Sequence, residues 1–171
     1  TTDDLAKRIN IHEQFGSRDI DTWMLEVLNL QPESKILDIG CGAGKQCFSY
    51  FKYLNGYADI TGTDVSRDLL SEAIEKNKQT NNAIKFQLMD FNLPFLMAND
   101  QYDLVSACFA IYYAQDIPWT LSEMHRVLKP GGRLFTTGPM PSNKQLFYDI
   151  IKEATGKAIP PMPGSSRYES Q

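Results

Sequence analysis

Five short apolar runs alternate with amphipathic stretches along this 171-residue chain, and three glycines follow the first run directly. These observations predict an α/β fold, a doubly wound, mainly parallel sheet with helices on both faces. Parallel neighbours need a crossover between them, and a right-handed crossover packs its helix back onto the sheet. The length favours one domain with a single core. Hydrophobic residues make up 42% and charged residues 22%, which places the chain among ordinary globular proteins.

The first well-marked element is a helix over about 19–30. Ile20, Trp23, Met24, Val27 and Leu28 recur there at helical spacing and predict one buried stripe. A weaker helix covers Asp4 to His12. "KILDIG" reads as a strand buried on both faces, because such strands show a continuous apolar run. "KQCFSYFKYL", after the glycines, reads as a helix. "DITGTDV" is the second strand, and "RDLLSEAIEKNKQ" is a helix with Ser66 as its N-cap. "IKFQLMD" is the third strand, and "YDLVSACFAIYY" begins as the fourth. "DIPWTLSEMHRVL" is helical up to Lys129-Pro130-Gly131-Gly132, which ends it. "RLFTTG" is the fifth strand. Ser142 and Gln145 form a capping box ahead of "NKQLFYDIIKEAT", and Gly156 suits the C′ position. Trp23 and Trp119 fit apolar helix faces and are expected in the core.

Composition narrows the function. The net charge is −4 and no run of Lys and Arg stands out, which argues against a nucleic-acid surface. Cys41, Cys47 and Cys108 are odd in number and fit no zinc or disulfide spacing, so reduced thiols in a cytoplasmic compartment are expected. No apolar run reaches transmembrane length, and "TTDDLAKRIN" has no apolar signal core. The expected domain covers 1–156, with an N-terminal helical segment over 1–30. Residues 157–171, rich in Pro, Gly and Ser, read as loop or linker.

In a doubly wound sheet, ligands bind outside the carboxyl ends of the strands, where the glycine loop lies. A phosphate-binding Walker loop fails at two positions: its first glycine would be Ile39, and its magnesium-binding hydroxyl would be Gln46. A dinucleotide loop needs G-x-G-x-x-G, whereas Gly40, Gly42 and Gly44 give G-x-G-x-G. Asp64 closes the second strand, where a carboxylate accepts ribose hydroxyls of any adenosine cofactor. Asp38, Asp64 and Asp90 all fall near one sheet edge. Clustered carboxylates favour a cationic ligand and oppose a pyrophosphate. S-adenosylmethionine, with a sulfonium and an ammonium against one carboxylate, fits that charge.

At these residues the chain resembles the class I S-adenosylmethionine-dependent methyltransferases of the small-molecule type. "ILDIGCGAG" is similar to the first family motif, Asp64 in "TGTDVS" to the ribose-binding acid, and Asp90 in "FQLMDF" to the acid at the adenine amino group. "YDLVSACFAIYYAQDI" resembles the fourth strand with its active-site loop, and "SEMHRVLKPGGRLFTT" the approach to the fifth. The resemblance covers about residues 19–156 and implies a Rossmann-like fold with S-adenosylmethionine as cofactor. It implies cofactor contacts from Asp38, Gly40, Cys41, Gly42 and Gly44 in the first motif, with Asp38 facing the ammonium. Further contacts are implied from Asp64 and Val65, from Asp90 and Phe91, and from Cys108. The acceptor is expected to be a small molecule, with Tyr112 and Tyr113 lining its pocket or packing under a helix. The absence of an Asn-Pro-Pro-aromatic motif argues against amide or base-nitrogen acceptors.

Other residues carry weaker expectations. Lys45, in a first helical turn, either pairs with the cofactor carboxylate or is a solvated surface lysine. His125 reads as a surface or packing residue. His12 and Phe15 lie in a segment that in relatives folds over the cofactor. A nicotinamide-dependent oxidoreductase and a catalytically silent cofactor-binding module are the competing readings. The family sheet usually has two further strands, one antiparallel, that Pro160, Pro161 and Pro163 leave no room for here. The chain is therefore expected to be a piece of a longer protein, with its fifth strand an unpaired edge.

Overall fold

A computed structural model describes residues 20–80, 83–139 and 145–158. The expectations for the first helix, His12, Phe15, Ser142 and most of the C-terminal stretch lie outside these residues. The described elements are α1 (Ile20–Leu28), β1 (Lys35–Ile39), α2 (Lys45–Tyr53), β2 (Asp59–Asp64), α3 (Arg67–Gln79), β3 (Lys85–Leu88) and β4 (Tyr102–Cys108). A 3₁₀ turn (Ile111–Tyr113), α4 (Ile117–Val127), β5 (Leu128–Thr137) and α5 (Gln145–Thr155) follow. The strands form one five-stranded sheet in the order β3-β2-β1-β4-β5, with every pairing parallel. Strand order reverses between β1 and β4, which makes the carboxyl end of β1 the switch point where such sheets take ligands.

The two faces of the sheet carry separate cores. Ile36, Ile60 and Leu104 pack with Leu28, Cys47, Tyr50 and Leu70 on one face, bringing α1, α2 and α3 to that side. Leu37, Ile39 and Val105 pack with Ile117, Met124 and Val127 of α4 on the other. Local chemistry sets the helix ends. The Ser66 hydroxyl accepts from the Leu69 N–H at 3.4 Å to start α3, and Asp116 accepts from the Trp119 N–H at 3.0 Å to start α4. Gly156 closes α5 in a left-handed conformation at φ +68°, its N–H donating to the Lys152 carbonyl.

Three expectations need correction. In α1 only Met24 and Leu28 are buried, with Leu25 partly packed beside them, while Ile20 and Val27 are exposed. A nine-residue helix meets the core along a narrow line, so the buried stripe is one side of the predicted one. Trp23 and Trp119 are half-buried and lie outside the core. β5 begins at Leu128, six residues before "LFTT". Leu128 already pairs with Tyr102, and Lys129–Gly132 then bulge out before Arg133 pairs with Leu104. In the described sheet β5 is an edge strand, as expected of it.

Candidate active site

All three loop glycines take left-handed backbone angles: Gly40 at φ +66°, Gly42 at +56° and Gly44 at +80°. Their surroundings differ. A Cβ on Gly40 would lie 2.5 Å from the Ala110 Cβ, and one on Gly44 would lie 2.9 Å from the Phe86 ring. At those two positions the packing of the protein itself already calls for glycine. A Cβ on Gly42 meets only Leu69, at 3.9 Å, so its open side faces away from the protein. Gly42 alone therefore leaves a cradle that a side chain would fill. Cys41 is buried between Gly40 and Gly42, with its N–H donating to the Thr63 carbonyl at 2.9 Å.

Asp64 holds this loop to the end of β2. Its two carboxylate oxygens accept from the Gly42 and Ser66 N–H groups, both at 2.8 Å. Each oxygen keeps a second lone pair for a ligand hydroxyl. Val65, next in the chain, is 65% exposed beside it. At the end of β3, one oxygen of Asp90 accepts from the Asn92 N–H and side-chain amide, both at 2.9 Å. The Asn92 side-chain oxygen in turn accepts from the Gln115 N–H at 2.8 Å, tying the β3 loop to the segment after β4. Phe91 is half-buried, with a ring carbon 3.6 Å from where a Gly40 Cβ would lie. The structure thus brings Gly40, Gly42, Asp64, Val65, Asp90 and Phe91 to the carboxyl edge of the sheet.

Asp38 sits beneath that edge. Phe86, Gly62, Asp38, Ser106 and Phe135 form one row across the five strands, and α2 covers it. Asp38 is 1% exposed. One oxygen accepts from the Ser106 hydroxyl at 2.6 Å and the other from the Cys47 thiol at 3.5 Å. No Lys or Arg among the described residues pairs with it. Burial pushes its carboxyl up to about 6, against the downward pull of the Ser106 and Cys47 hydrogen bonds. Gly62 admits the thiols: a Cβ there would lie 2.8 Å from the Cys47 Sγ and 3.0 Å from the Cys41 Sγ. The neighbouring Cys41 thiol, and burial after it, hold Cys47 in its neutral form. Cys108, at the end of β4, is half-buried, and desolvation pushes its thiol up to about 12. Gln46 Nε2 is buried without a hydrogen-bond partner among the described residues, and Tyr50 Oη and Thr137 Oγ1 lie beside the Cys108 thiol.

Lys45 does pair, but with Asp21 of α1 at 3.0 Å, which offsets a cation in the first turn of α2. After β4, Tyr112 is half-buried and Tyr113 is 67% exposed, with ring centroids 4.6 Å apart. His125 is exposed on α4, far from the loop. The sequence reading missed Gly62, Ser106, Asn92 and Phe109. A glycine inside "DITGTD" does signal close approach; the other three carry no local signal. Two clefts on the described surface lie elsewhere, one between α2 and α3 around Phe51 and Lys76, the other at the amino ends of β4 and β5.

A five-stranded parallel sheet with a glycine loop and acids at the ends of β2 and β3 defines a nucleoside-cofactor domain of the methyltransferase class. The comparisons agree. Residues 36–132 match the family model described as a methyltransferase domain. The chain is 31% identical over 141 residues to a demethylmenaquinone methyltransferase of Staphylococcus haemolyticus, covering 78% of this chain and 58% of that protein. It is 34% identical over 106 residues to a 2-phytyl-1,4-naphtoquinone methyltransferase of Synechococcus elongatus, covering 60% and 45% respectively. Among solved structures, a SAM-dependent methyltransferase from Aquifex aeolicus superposes with a TM-score of 0.64 at 19% identity, over 80% of this chain and 79% of that one. The chain belongs to the class I S-adenosylmethionine-dependent methyltransferase family. It spans about half the length of the two curated relatives named.

The residues present fit the family cofactor on two observations. Gly42 leaves a cradle that a Cβ would fill, and Asp38 is a buried carboxylate with no basic side chain beside it. Among the described residues no helix is long and apolar enough to cross a membrane.

Proposed function

We propose that this domain moves a methyl group from S-adenosylmethionine to a small aromatic acceptor bearing a hydroxyl, of the reduced naphthoquinone type. The observation that carries it is the Gly42 cradle, locked to Asp64, with the loop after β4 packed onto the neighbouring Gly40 through Ala110. The two curated relatives, both named for naphthoquinone-type acceptors, support the acceptor class.

When bound, S-adenosylmethionine supplies a methyl carbon already activated by its sulfonium. The protein's task is alignment, which contributes roughly 7–11 kcal/mol when the reacting atoms are held in line. Asp64 offers its free lone pairs to the ribose hydroxyls while holding the Gly42 amide in place. Asp90 faces the adenine amino group, and Phe91 lies against the ring. Asp38 acts from below the loop, since it is buried beneath the sheet edge. Its negative field draws the cofactor ammonium toward the Gly40 backbone. Gln46 Nε2 is a buried donor free for the methionine end. Tyr112 and Tyr113 flank the acceptor. Aligned by these residues, the acceptor would take up the methyl group in exchange for a proton, which would pass to solvent.

Incubation with S-adenosylmethionine and 1,4-dihydroxy-2-naphthoate tests this. Formation of S-adenosylhomocysteine with a methylated naphthalene product is expected. Tight cofactor binding without turnover on any hydroxylated aromatic would favour a silent cofactor-binding module instead.

A further inference from the structure

Among the described residues, five other than glycine take left-handed backbone angles: Asn29, Glu33, Asn55, Asp100 and Phe109. Three are Asn or Asp, whose short polar side chains tolerate this region. Glu33 is an exposed turn residue. Phe109, at φ +56°, is the only apolar one, and its large side chain makes the conformation costly. Phe109 is also 45% exposed, so the chain holds a strained backbone and leaves much of an aromatic ring in solvent. Neither feature is repaid within the described fold.

The surroundings fix the residue there. Its N–H donates to the Thr137 carbonyl at 2.8 Å, a bond that continues the β4–β5 pairing. Ala110, next in the chain, is buried against the open side of Gly40. The 3₁₀ turn then begins, with the Tyr113 N–H donating to the Ala110 carbonyl at 3.0 Å. Strain that persists because its neighbours over-determine it concentrates at functional sites. The position suits such a site: Phe109 follows β4 at the switch point and stands three residues before the paired rings of Tyr112 and Tyr113.

We infer that Phe109 is the specificity-determining platform of the acceptor site, held in a strained conformation so that its ring stacks on a flat aromatic acceptor beside the methyl position. This rests on the methyltransferase reading and sharpens it, because it names the recognised feature as a π-face rather than apolar bulk. Ring stacking rewards an offset planar partner, whereas a saturated ring of equal size offers only area. The exposed Tyr113 forms the outer wall. The inference concerns binding and positioning; the chemistry of the transfer is unchanged by it.

The test uses Phe109→Asn and Phe109→Leu, with S-adenosylhomocysteine, 1-naphthol and decahydro-1-naphthol as calorimetric probes. The parent, loaded with S-adenosylhomocysteine, is expected to bind 1-naphthol at least tenfold tighter than its saturated analogue. In Phe109→Asn that preference is lost. Its melting point stays within about 2 °C of the parent, because relieved strain offsets the lost half-burial of the ring. Affinity for S-adenosylhomocysteine stays within twofold. Phe109→Leu keeps apolar bulk, so it retains the saturated analogue and loses the preference for 1-naphthol. Equal preference in parent and variants overturns the inference. So does a melting point at least 6 °C lower in Phe109→Asn, which would make the ring a packing residue. Failure of the parent to bind S-adenosylhomocysteine would overturn the methyltransferase reading beneath it; a parent that binds it but does not distinguish the two alcohols overturns only the platform.

Discussion

Replacing Asp38 by Asn separates the cost of a buried charge from its use. The carboxyl is 1% exposed, and burial raises it from an ordinary 3.8 to about 6. Between those two values the folded chain holds a proton that the unfolded chain has released. Stability therefore falls as pH rises through this window, and the loss is complete above about 6. At 1.36 kcal/mol per pH unit, the shift from 3.8 to about 6 corresponds to about 3 kcal/mol. Asn matches the shape, keeps an oxygen for the Ser106 hydroxyl, and does not titrate. Urea unfolding of parent and Asp38→Asn at pH 4 and pH 8 measures the effect. The Asn amide adds a constant offset, so the decisive quantity is the change in the stability difference between the two pH values. That change is expected to favour the variant at pH 8 by about 2.5 kcal/mol, since pH 4 already lies just inside the window, while affinity for the cationic cofactor drops. A difference that stays the same at both pH values would refute the reasoning, since the carboxyl would then titrate alike in both states.

Other changes probe the loop and its supports. Gly40→Ala is expected to destabilise the fold by about 1–3 kcal/mol, the range for overpacking, because its Cβ would meet Ala110 at 2.5 Å. Gly42→Ala is expected to fold with only the strain of its φ +56° backbone, yet to lose cofactor affinity, so chemical denaturation and calorimetry should rank the two variants oppositely. Asp64→Ala is expected to weaken cofactor binding by roughly 1.5–3 kcal/mol, the range for a hydrogen bond to a charged group. Unchanged calorimetric affinity in a folded Asp64→Ala protein would remove Asp64 from the site. Arg126 donates to the carbonyls of Phe95 and Met97 and to Asn99, pinning the loop after β3. Arg126→Ala should therefore raise hydrogen exchange over 92–100 well before global unfolding.

The sequence made some elements readable and hid others for physical reasons. α3 is found at its predicted bounds because Ser66 marks its start and Leu69, Leu70, Ala73 and Ile74 recur at helical spacing. The glycine loop and the strand-end acids were legible because their chemistry needs fixed residue types at fixed offsets. α1 was read with its stripe too wide, because only tertiary contact decides which apolar positions of a short helix meet the core. The Lys45–Asp21 pair could not be read from the sequence because Asp21 lies 24 positions earlier on a different helix. The terminating Lys129-Pro130-Gly131-Gly132 did end α4, but pairing of Leu128 with Tyr102 turned the expected loop into a bulge within β5. Phe109 gave no signal at all, since a left-handed angle is announced by glycine or asparagine and not by phenylalanine.

The central claim is that the loop from Gly40 to Gly44 holds S-adenosylmethionine rather than a phosphate-bearing nucleotide. Calorimetric titration of the chain with S-adenosylhomocysteine and with NAD, repeated on Gly42→Val, tests it most directly. The expected result is one site for S-adenosylhomocysteine, weak or no binding of NAD, and loss of the site in a folded Gly42→Val variant. Tight NAD binding without S-adenosylhomocysteine binding, or full affinity for S-adenosylhomocysteine in Gly42→Val, would contradict it.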